Sequence, residues 1–60
     1  MLDDTNVLVI AEYILQRHGR RAPVILAARI KAGEREGDYG AAALWRDVAE
    51  SVGALVAQRH

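Results

Sequence analysis

The sequence predicts an all-α fold, a three-helix antiparallel bundle with helices at approximately 5–18, 22–36 and 39–58 joined by short turns. Three observations lead there. Apolar residues recur at helical rather than strand spacing through three successive segments. The boundaries between them carry helix punctuation, at His18-Gly19, at Ala22-Pro23 and at Gly37-Asp38. Strand alternation and hairpin-turn signals are absent throughout. A chain this short forms one helical domain, residues 1–60.

In the first helix, Asp3, Asp4 or Thr5 can accept a hydrogen bond from the first free N–H groups and complement the helix dipole. Val7, Leu8, Ala11, Ile14, Leu15 and His18 then share one face. Gly19 suits the left-handed position beyond the helix end, and Arg17 and His18 stand where cations are favoured. The second helix opens near Ala22, because Pro23 has its φ pre-set for a first turn and lacks the N–H that would go unpaired there. Pro23, Leu26, Ala27, Ile30 and Gly33 form its stripe, with Glu34 at the edge and Arg29, Lys31, Arg35 and Glu36 outside it. Gly33 implies close approach of a neighbouring helix or fraying of the last turn.

The third helix carries the longest stripe: Ala41, Leu44, Trp45, Val48, Ala49, Val52, Leu55 and Val56. Asp38 is its expected N-cap. Arg46, Asp47, Glu50, Ser51 and Gln58 take the opposite side, where Arg46 and Glu50 have i, i+4 spacing. The stretch EGDYGAAALW, residues 36–45, therefore reads as a corner: Gly37 ends one helix, Asp38 starts the next, and Gly40 leaves room for the preceding helix. A phosphate cradle would need a longer glycine-rich loop or a P-loop lysine and serine, which are missing.

Composition narrows the function. Eight Lys and Arg balance eight Asp and Glu, so no global field draws the chain to nucleic acid or anionic membrane. With no cysteine, disulfides and the commonest zinc ligands are excluded, and oligomerisation or partner binding is the remaining way to support a small core. The Val7–Ala11 run is far too short to span a bilayer, and Asp3 and Asp4 oppose a targeting segment, so a cytoplasmic setting is expected.

Chemistry-bearing patterns are sparse. His18 and His60 stand far apart in the chain without a second ligand at helical spacing, so no metal site is expected. Ser51, the only serine, has no neighbouring histidine, and the carboxylates read as helix-start and solvent-face charges. No catalytic residue, cofactor or small-molecule substrate is therefore assigned. Arg17-His18-Gly19-Arg20-Arg21 is the one basic cluster, and Arg17, Arg20 and Arg21 could contact phosphates. Against a helix-turn-helix reader stands the following segment, Pro23 to Ala28, which is almost wholly apolar where a recognition helix needs polar side chains.

Helices 1 and 2 carry surplus apolar residues. Val9, Ile10 and Tyr13 lie nearly opposite Leu8 and Leu15, and Ile25, Ala28 and Ala32 form a second face on helix 2. A helix apolar on two sides is central in its fold or is covered by something else. These six residues are the expected interface of a homo-oligomer or of a contact with a protein partner, with Trp45 as a core anchor. The rival reading is a nucleic-acid-binding accessory protein using Arg17, Arg20 and Arg21.

Two resemblances add to this reading. Gly37-Asp38-Tyr39, followed by Ala42 and Ala49, resembles the turn and second helix of a tetratricopeptide repeat, although Ile30, Gly33 and Arg46 depart from its pattern. It implies a helical hairpin of the kind used for protein contacts. Over most of the chain, the order of His18-Gly19, Ala22, Arg29-Ile30, Gly37-Asp38 and Trp45 is similar to a group of short uncharacterised helical proteins of alphaproteobacterial, sphingomonad-type genomes. That resemblance implies a bacterial setting and no particular activity.

Overall fold

A computed structural model describes residues 4–58, with side chains from Asn6 to Gln58. The helix-start candidate Asp3, the side chains of Asp4 and Thr5, and His60 lie outside the described residues. The chain is all-α among them: α1 (Asp4–His18), a 3-10 turn (Gly19–Arg21), α2 (Ala22–Arg35) and α3 (Tyr39–Gln58).

The expected three rods separated by short turns are corrected at the first junction. Helical structure runs without a gap through the 3-10 turn, so the chain forms two gap-free helical stretches, 4–35 and 39–58. Gly19, at φ +55°, sits in the left-handed region, which cannot continue a right-handed helix, so the first stretch turns there. The Ala22 N–H donates to the Gly19 carbonyl oxygen and closes the turn, placing Pro23 in the first turn of α2.

The second junction follows the expected corner closely. Gly37, at φ +73°, ends α2; the Asp38 N–H donates to the Gly33 carbonyl oxygen at 2.8 Å and the Gly37 N–H to that of Glu34 at 3.2 Å. This is a Schellman arrangement, which satisfies carbonyls the helix end would otherwise leave unpaired. Asp38 then caps α3, because its Oδ1 accepts from the Ala41 N–H at 3.0 Å. One residue thus closes α2 with its backbone and opens α3 with its side chain.

The close approach belongs to Gly33, not to Gly40. A Cβ on Gly33 would meet the Ala42 nitrogen at 3.1 Å, the Asp38 oxygen at 3.2 Å and the Ala42 Cα at 3.3 Å, whereas one on Gly40 would meet only Asp38 Oδ1 at 3.8 Å. Gly33 and Ala42 are both buried, and the two helices lie backbone to backbone there. Further contacts bind the pair: Glu34 forms an ion pair with Arg46, and the Arg29 guanidinium lies 5.3 Å from the Trp45 ring centroid. Arg46 therefore bridges to α2 instead of making its expected link to Glu50.

The core consists of Val7, Ala11, Ile14 and Leu15 from α1, Ala22 and Leu26 from α2, and Val48 and Val52 from α3. α3 packs against both other helices, while α1 and α2 share little surface with each other. Two first-helix expectations are corrected. Leu8, expected inside, is 43% exposed; Ile10, expected on the outer face, is half-buried and packs against the core. Ile10 sits on the opposite flank of the buried stripe from Leu8, so the stripe is shifted toward it. Trp45 is half-buried against the core with Arg29 over its ring, a core-edge rather than a fully enclosed anchor.

Candidate functional site

The Gly33–Ala42 contact sets α2 and α3 side by side, and one flank of that pair is left open. Pro23, Ala27 and Ile30 line it from α2; Ala49, Gly53 and Val56 line it from α3, over a floor formed by Val52. The groove has a volume of about 350 Å³. Pro23, Ala27 and Ile30 recur at i, i+4 and i+7, one ridge of α2, with Glu34 four residues further along. The early part of α2 faces the late part of α3, so the two helices run antiparallel. No carboxylate, amine, hydroxyl or imidazole is among the lining residues. The lining is thus apolar throughout, and what it presents is shape and apolar contact area.

Charged residues stand at both ends of the groove. Arg20 and Arg21, in the 3-10 turn, stand near Pro23 at one end; Glu34, Glu36 and Asp38 lie near the other with Arg35 and with Arg46, the ion-pair partner of Glu34, and all seven are exposed. Arg17, Arg20 and Arg21 are exposed together around the Gly19 corner, and none makes an ion pair among the described residues.

The residues expected at an interface fall on different parts of the molecule. Val9 and Tyr13 are exposed on α1, at 60% and 58%. Ile25, Ala28 and Ala32 line a shallow depression on α2 with Val24 and Arg29, of about 330 Å³. Ile10 is drawn toward the core. The α2–α3 groove is therefore an apolar surface that periodicity assigned to the interior, since Pro23, Ala27, Ile30, Ala49 and Val56 all belong to stripes expected to be covered. The signal that could have found it is Gly53, a glycine inside a 20-residue helix with no turn to make.

A smaller polar hollow of about 200 Å³ lies between Val7 and the Asp47, Glu50 and Ser51 side of α3. Ser51 has no histidine beside it there to act as base. No group of His, Asp or Glu suited to hold a metal ion occurs among the described residues. None of their helices is long and apolar enough to cross a membrane.

The fold and the groove define a small all-α domain with an open apolar groove between two of its helices. The chain belongs to a family of unknown function, DUF6961, whose model matches residues 4–60. No curated protein and no solved structure matches it.

Proposed function

We propose that this chain is a protein association module, self-associating or an accessory subunit of a larger partner, with no catalytic activity of its own. The observation that carries the reading is the α2–α3 groove, an apolar channel of about 350 Å³ left open along two helices of a domain whose own core is small. Burying this apolar lining against a partner would stabilise a complex by roughly 25 cal/mol per Å² removed from water. Val9, Tyr13, Ile25, Ala28 and Ala32 supply further apolar contact area outside the groove. The tetratricopeptide-like α2–α3 hairpin fits the same role, and a bacterial cytoplasm is the setting proposed for it.

The test is capture from the native host with tagged wild-type protein and an Ala27→Glu variant. Ala27 is exposed in the groove, so the new carboxylate blocks docking without entering the core. The reading requires a protein, either a second copy or a foreign chain, that associates with the wild type and not with the variant. Equal association of both would remove the groove from the function.

A further inference from the structure

We draw no further inference here: the strongest candidate, the apolar groove between α2 and α3 with Ala27 and Gly53 facing each other across it, is an open helix-pair surface, and nothing in the structure shows what covers it.

Discussion

Gly33 stands where two helix backbones touch, and the atoms around it are backbone atoms that cannot swing aside. Gly33→Val should therefore destabilise the chain by about 2–3 kcal/mol, since the added methyls must push α3 away at Ala42. Urea unfolding followed by circular dichroism measures this, and an unchanged midpoint would show that the helices are not in contact there. Gly53 predicts the opposite sign. With open space around it, Gly53→Ala should raise the stability of the monomer by about 0.5–1 kcal/mol through helix propensity alone.

Between elements, the Asp38 corner directs how α2 and α3 pair. Its backbone N–H completes the end of α2 and its carboxylate caps α3, so Asp38→Ala removes only the second function. The expected cost is about 1 kcal/mol, and Asp38→Asn should recover most of it because an amide oxygen also accepts the Ala41 N–H. Thermal melts of the two variants side by side would reveal it; equal losses would mean the carboxylate acts through charge alone. The Glu34–Arg46 ion pair is exposed, and such pairs contribute about 0–1 kcal/mol and weaken with salt. Orientation of the hairpin therefore rests on the corner and the Gly33–Ala42 contact more than on charge.

For the whole molecule, the margin of stability is thin. The largest fully enclosed side chains are Leu26, Val48 and Val52, and no aromatic residue is buried among the described residues. Leu26→Ala should cost about 3–4 kcal/mol, comparable to all that a core of this size commonly supplies, so the variant should be largely unfolded at 25 °C. A sharp, cooperative melt near the wild-type midpoint would contradict this placement of Leu26. If the groove is covered by a second copy, the wild-type melting temperature should also rise with protein concentration, whereas an isolated monomer has no such dependence.

Much of this architecture is legible in the residues themselves. Apolar spacing located the helical segments to within a residue or so, and Gly19, Pro23, Gly37 and Asp38 marked their ends, because these depend on local φ preferences and hydrogen bonds a few residues apart. Val7, Ala11, Ile14, Leu15, Leu26, Val48 and Val52 could be placed in the core for the same local reason. Tertiary structure alone decided how each wide stripe is divided. On α2 it encloses Leu26 and Gly33 but leaves Pro23, Ala27 and Ile30 facing the open groove; on α1 it exposes Leu8 and draws in Ile10. Periodicity records which side chains share a face, while burial depends on where another helix crosses that face. Here α3 packs with both α1 and α2, so much of the α2 surface that its own pattern would bury is left facing the open groove.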